Sequence, residues 1–221
     1  MAGKRGIGGN PQVRLVIFDL DGTLIDAYKA VYQSINFAMK KMGFPKISAR
    51  TIHRSVGWGD LHLIEKFVGK ERLEGALAIY RRHHRTSLKN GTTLLPGALK
   101  LLRLLKKNKY RIAVASNRPT KFSLIILKQL NIRKYFDYVL CADKLKKGKP
   151  HPEILQKILK RFSLKGHEAL YVGDMIIDLQ AGRGARIKTI AVTTGSCTKS
   201  ELARYKPYAV IARVDQVRCL L

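Results

Sequence analysis

The sequence predicts an α/β protein: a parallel sheet with helices on both faces, interrupted after its first strand by a small helical insert. Three observations carry this. Short apolar runs rich in Val, Ile and Tyr recur along the chain, as strands buried on both faces do. Amphipathic helical stretches alternate with them. From about Ala27 to Thr92 that rhythm breaks, and the segment holds helical patterns without a convincing strand.

The strand runs are Val13 to Phe18, Arg111 to Ala115, Tyr135 to Cys141, Ala169 to Val172 and Lys188 to Val192, with a weaker one at Tyr208 to Ala212. Ala27 to Lys41 reads as an amphipathic helix stopped by Gly43 and Pro45. Ser48 is placed to cap a short helix, Val56 to Asp60 reads as a loop, and Glu71 to Leu88 as a long basic helix. Gly97 to Lys107 carries apolar residues at helical spacing, with its lysines near the end that the helix dipole favours. Pro119 to Leu130 and His151 to Phe162 each open with a proline near the first turn. The resulting division is a basic tail at 1–12, expected to be disordered, a core of 13–26 and 93–221, and an insert of 27–92. The end of the chain, Val214 to Leu221, is apolar enough to pack.

The composition excludes several classes. The chain has 221 residues, enough for one domain or one core with an insert. No apolar run approaches the ~18 residues of a membrane span. The first twelve residues are Gly-rich and basic without an apolar h-region, so they do not read as a secretory signal. Three cysteines without a C-x-x-C argue against a disulfide framework or zinc knuckle and fit a reducing cytoplasm. His83 and His84 sit in a basic run and read as solvated helix surface. The net charge of +28 comes from basic residues spread along the chain, and predicts nonspecific association with nucleic acid at low salt. No nucleic-acid motif with interleaved aromatics accompanies it.

The polar residues fall at strand ends. The first strand runs into Asp19-Leu20-Asp21-Gly22-Thr23, and the second into Ser116-Asn117. The third is followed by a loop holding Lys149-Pro150, and the fourth runs into Gly173-Asp174 and then Asp178. In an open parallel sheet ligands bind in the crevice beyond the carboxyl ends of the strands, so all these groups should meet there. Asp19, Asp21, Asp26, Asp174 and Asp178 are five of only 15 acids in the chain. Clustered carboxylates repel unless a cation neutralises them, and an oxygen-only set suits Mg²⁺ shared with a substrate phosphate. An aspartate there can attack phosphorus as a nucleophile, a second can move the proton, and Lys149 with Mg²⁺ can offset the phosphoryl charge. Thr23, Ser116 and Asn117 are candidates to bond the phosphoryl oxygens.

These residues resemble the haloacid dehalogenase superfamily of phosphohydrolases. Asp19 to Asp26 (DLDGTLID) matches its DxDGTxxD first motif, Ser116-Asn117 the second, Lys149 in GKPHPE the third, and Gly173 to Asp178 (GDMIID) the fourth. The resemblance implies a Rossmann-like core with a helical cap inserted after the first motif. It implies that Asp19 is the nucleophile and Asp21 the general acid and base. It further implies Mg²⁺ held by Asp19, the Asp21 backbone carbonyl and Asp174, with Asp178 assisting through a water or from behind. Within the superfamily the chain looks most like the phosphoglycolate phosphatase branch, through LLPGALKLLRLLK and GKPHPE.

Sister activities fit less well. A dehalogenase does not need the second aspartate, which is present as Asp21. The expected cap loop, Arg54 to Asp60, lacks the lysine of a phosphonate hydrolase, and Ala27 to Val31 lacks the histidine of a phosphoglucomutase-like member. The expectation is therefore a Mg²⁺-dependent phosphatase of a small phosphorylated metabolite, phosphoglycolate-like or a sugar phosphate, acting through an aspartyl-phosphate, monomeric or homodimeric. A phosphomutase, a pyrophosphatase or nucleotidase, and a noncatalytic nucleic-acid binder are the alternatives. In the cap loop, Gly57 should let the backbone approach the substrate, Trp58 should stack on or screen the leaving group, and Arg54 should meet a carboxylate or second phosphate.

Overall fold

The computed structural model describes residues 13–221, and the basic tail expected at 1–12 lies outside the described residues. Six parallel strands form one sheet: β1 Leu15–Phe18, β4 Arg111–Ser116, β5 Tyr138–Cys141, β6 Ala169–Gly173, β7 Lys188–Val192 and β8 Ala209–Ile211. Their order is β5-β4-β1-β6-β7-β8. The chain thus builds outward from β1 on one side, then returns to build outward on the other. The crevice between β4, β1 and β6 is the topological switch point where such sheets bind ligands.

Alternation within each strand divides the core. Val16 and Phe18 of β1, Ile112 and Val114 of β4, and Leu170 and Val172 of β6 point to one face. There they meet α4 (Ala98–Lys107) and α5 (Thr120–Gln129). Leu15, Ile17, Ala113, Ala115 and Tyr171 point to the other face, against α6 (Glu153–Phe162) and α7 (Ile176–Gly184). This is the period of two that a strand imposes on its side chains. A short 3-10 helix at Val214–Cys219 buries Val214 and Val217 on the first face, which is where the apolar end of the chain packs.

Between β1 and β4 the chain forms α1 (Tyr28–Lys41), α2 (Ala49–His53) and α3 (Asp60–Asn90). These pack around a third apolar cluster that includes Ile35, Met39, Ile52, Ile64 and Tyr80. Ser48 caps α2, its hydroxyl accepting from Thr51 N at 3.1 Å. The long helix differs from expectation. It begins at Asp60 rather than near Glu71, and breaks at Gly69 (φ 73°, ψ 171°). An apolar stripe at Leu63, Ile64 and Val68 supports the added turns. The segment is also tied off by a device the sequence reading lacked. β2 (Ile25–Asp26) and β3 (Thr93–Leu94) pair antiparallel, so the chain leaves and re-enters the core through one two-stranded ribbon. Two residues per strand are too few to show as a hydrophobic period.

α8 (Lys199–Ala203) lies beyond β7 and is capped by Thr198, with Glu201 completing a reciprocal capping box. Among the described residues no helix is long and apolar enough to cross a membrane. Cys141, Cys197 and Cys219 are free thiols.

Candidate active site

The polar strand ends converge on one small cavity of about 60 Å³ at the switch point. Asp19 and Asp21 follow β1, Ser116 and Asn117 end β4, Lys149 comes from the loop after β5, and Asp174 and Asp178 follow β6. Asp19, Asp174, Asp178 and Lys149 are all buried.

Lys149 organises the buried carboxylates. Its Nζ donates to Asp19 Oδ1 at 2.6 Å, Asp178 Oδ1 at 2.7 Å, and the Ala115 carbonyl and Tyr171 hydroxyl at 3.1 Å each. Burial works against its charge, but Asp178 and Asp19 together outweigh that and hold Lys149 above its ordinary value. Asp19 is pushed up to about 7, by burial first, opposed by Lys149 and reinforced by Asp178. Asp174 is raised well above the usual carboxylate range by burial and by its neighbours Asp19 and Asp178. Three buried carboxylates thus share one lysine, an arrangement that a further positive charge would stabilise.

The fit of a divalent ion rests on more than charge. Asp19, Asp174 and Asp178 each offer an oxygen, all within 4.8 Å of one another. Asp174 Oδ1 accepts from the Thr23 hydroxyl at 3.1 Å, while its Oδ2 is buried with no hydrogen-bond partner. An orphaned carboxylate oxygen is costly unless something polar or cationic meets it. Two glycines make room around it: a Cβ on Gly22 (φ 77°) would lie 2.5 Å from Asp174 Oδ2, and one on Gly195 would overlap it. The residues present therefore fit a hard cation with oxygen ligands. Asp178 is committed elsewhere, since Oδ1 holds Lys149 and the Tyr171 hydroxyl (2.6 Å) and Oδ2 accepts from Met175 N at 3.0 Å. It anchors Lys149 and the loop after β6.

Other expected residues divide. Asn117 lines the cavity and ties three parts together. Its Nδ2 donates to Lys149 O at 2.9 Å and to Gly57 O at 3.0 Å, and its Oδ1 accepts from Lys149 N at 2.8 Å. Ser116 and Gly57 also line the cavity, Ser116 Oγ accepting from Arg118 N at 3.2 Å. Thr23 does not line it, because its hydroxyl is spent on Asp174. Trp58 and Arg54 are corrections as well. Trp58, between two glycines of positive φ, turns outward and is 48% exposed. Arg54 pairs with Glu201 at 2.6 Å and donates to Ser196 O at 2.6 Å, bridging the helical segment to the loop before α8. Neither lines the cavity.

Two residues that the sequence reading passed over are central. Arg118 is largely buried, its side chain 9% exposed, and forks onto Asp21, Nε to Oδ2 at 2.8 Å and NH2 to Oδ1 at 2.7 Å. Its NH1 lies 2.7 Å from Nε2 of His84, which is fully buried rather than solvated. Residues 76, 80, 84 and 88 of α3 form a buried stripe at four-residue spacing, and that spacing was the available signal for His84. Burial and Arg118 push His84 down to about 2, so it is neutral. Tyr171, a tyrosine in an otherwise aliphatic buried strand, needs a partner for its hydroxyl and finds Asp178.

The family model for haloacid dehalogenase-like hydrolases matches residues 16–192, and the chain belongs to that family. Phosphoglycolate phosphatase from Aquifex aeolicus is 31% identical over 183 residues, covering 83% of this chain and 86% of that protein. Phosphoglycolate phosphatase 1 from Pseudomonas aeruginosa is 29% identical over 217 residues, covering 94% and 78%. The crystal structure of a predicted phosphoglycolate phosphatase from Haemophilus somnus superposes with a TM-score of 0.85 at 27% identity, covering 95% of this chain and 98% of that one. A haloacid dehalogenase-like family hydrolase from Streptococcus pneumoniae shares the fold with a TM-score of 0.84 at 24% identity, covering 93% and 97%.

Proposed function

We propose that this protein is a Mg²⁺-dependent phosphatase of a small phosphomonoester, phosphoglycolate or a metabolite of similar size, working through an aspartyl-phosphate on Asp19. The observation that carries this is the buried group of Asp19, Asp174 and Lys149 at the switch point, with Asp174 Oδ2 unpartnered. The similarity to named phosphoglycolate phosphatases supports the substrate class.

Asp19 attacks with Oδ2, since Lys149 holds Oδ1. Attack forms the Asp19–phosphorus bond as the bond to the leaving oxygen breaks. Asp21 gives that oxygen its proton, then takes a proton from the water that cleaves the acyl phosphate and restores Asp19. Lys149 and backbone N–H groups offset charge on the phosphoryl oxygens. Asp19, the Asp21 carbonyl and Asp174 would hold Mg²⁺, with Asp178 behind. When bound, the ion supplies charge neutralisation and orientation of the phosphoryl group. Residues 27–92 serve as a cap over the core of 13–26 and 93–221, excluding water during the first transfer and admitting one water for the second.

The test is phosphate release from a panel of phosphoglycolate, sugar phosphates, nucleotides and pyrophosphate, with and without Mg²⁺, beside Asp19→Asn. Turnover that needs Mg²⁺ and is lost in the variant is the expected result. Retention of a tenth of the activity by Asp19→Asn would overturn the nucleophile assignment.

A further inference from the structure

We propose that Arg118 is a specificity-determining residue that exchanges Asp21 for a carboxylate on the substrate's leaving group. The inference rests on the reading of Asp21 as the proton donor and deepens it by naming what the leaving group carries.

The cavity is lined by two cationic side chains, Lys149 and Arg118, among its named residues. Lys149 already meets four oxygens. Arg118 is therefore the cation left to meet a second anionic group. Much of the remaining wall is apolar, with Val31, Val56, Leu63, Phe122 and Ile177. Asp60, also in the wall, is taken up by Arg81, with Nε at 2.7 Å and NH2 at 3.1 Å. A polyhydroxylated leaving group would leave several hydroxyls unpaired against such a wall. A short leaving group ending in one planar anion would find one guanidinium fork of matching geometry. A planar carboxylate also matches the pair of N–H groups that now holds the planar carboxylate of Asp21.

The same fork now holds both oxygens of Asp21. An incoming carboxylate offers Nε and NH2 the same pair of acceptors, and the exchange frees both oxygens of Asp21 to face the leaving oxygen. His84 keeps the guanidinium in place during the exchange. Arginine only donates, so His84 Nε2 must accept, and its proton sits on Nδ1. Nδ1 then donates to Ser34 Oγ at 3.1 Å, and that hydroxyl donates to Ala30 O at 2.7 Å. Ser34 and His84 belong to α1 and α3, whereas Asp21 and Arg118 belong to the sheet's end. The fork is therefore fully anchored only when the helical segment lies over the crevice, as it does here.

The test is calorimetric binding with Mg²⁺ present, using probes that cannot turn over. 3-Phosphonopropionate keeps a carboxylate at the distance it has in phosphoglycolate. Propylphosphonate lacks it, and ethane-1,2-bisphosphonate replaces it with a second phosphonate. The wild type is expected to bind 3-phosphonopropionate at least about tenfold tighter than propylphosphonate, the scale of one charged hydrogen-bonded pair. Arg118→Met should bring the two within about twofold, and Arg118→Lys, a point charge without the fork, should fall between. Arg118→Gln, which can still donate to His84, replaces Arg118→Met if the latter does not fold by circular dichroism. A preference that survives in a folded Arg118 variant, or is absent from the wild type, overturns the proposal. So does an Arg118-dependent preference for the bisphosphonate over the carboxylate probe. Because binding needs no turnover, failure of the Asp19 chemistry would leave this result standing, and failure here would leave that chemistry standing.

Discussion

Two aspartates separated by a single residue, Leu20, meet two different cations. Asp19 meets Lys149, whose other partners, Asp178, Tyr171 and the Ala115 carbonyl, all belong to the sheet and the helix behind it. Asp21 meets Arg118, whose third contact is His84 of the helical segment. The first pair is held by groups on β4, β6 and α7. The second spans two layers and depends on both. On the proposed reading, phosphoryl transfer falls to the half held within the core and recognition of the leaving group to the half that also contacts the helical segment.

The largest way to break this contrast is Lys149→Met. Removing one partner from a buried ion pair leaves uncompensated charge, here on both Asp19 and Asp178. The unfolding free energy measured by denaturant should fall by about 3–5 kcal/mol. Added Mg²⁺ should restore part of that loss, because it supplies positive charge to the same carboxylates. Gly195→Ala probes the cation cradle from the other side. Its Cβ would collide with Asp174 Oδ2, so stability should fall by up to about 3 kcal/mol and the rise in Tm on adding Mg²⁺ should disappear. A folded variant that keeps the full Mg²⁺ shift would show that Asp174 does not hold the ion.

The smallest effect concerns the layer-spanning half. His84 is neutral in the folded protein, with a value of about 2 against an ordinary 6.5, because of burial and Arg118. Between those values the unfolded chain binds the extra proton and the folded one does not. Its contribution is therefore complete above about pH 6.5 and is lost as pH falls. Going from pH 7 to pH 5 should cost about 2 kcal/mol of stability through this residue. His84→Gln should flatten the pH dependence of unfolding in that window by the same amount, whereas an unchanged slope would place a charged histidine in the fold.

The legible parts of the sequence were those fixed by short-range patterns. Asp19, Asp174, Asp178 and Lys149 could be read because each follows a strand, and parallel strands deliver their ends to one crevice. Arg118 could not, since one arginine among 43 basic residues carries no signal of burial. His84 was hidden by its charged neighbours, although the stripe through Ala76, Tyr80 and Leu88 marks its face. The β2–β3 ribbon has two residues per strand and no period to detect. Trp58 and Arg54 were drawn toward the substrate by residue type, but direction in a loop depends on backbone angles, and Gly57 (φ 107°) and Gly59 (φ 90°) turn Trp58 outward.

The central claim is that Asp19 takes up the phosphoryl group. Rapid acid quench of the Mg²⁺-loaded protein during turnover of a ³²P-labelled substrate tests it most directly. The account predicts label retained on the wild-type protein, mapped to the peptide holding Asp19 and absent from Asp19→Asn. Turnover without retained label, or label on Asp19→Asn, would contradict it.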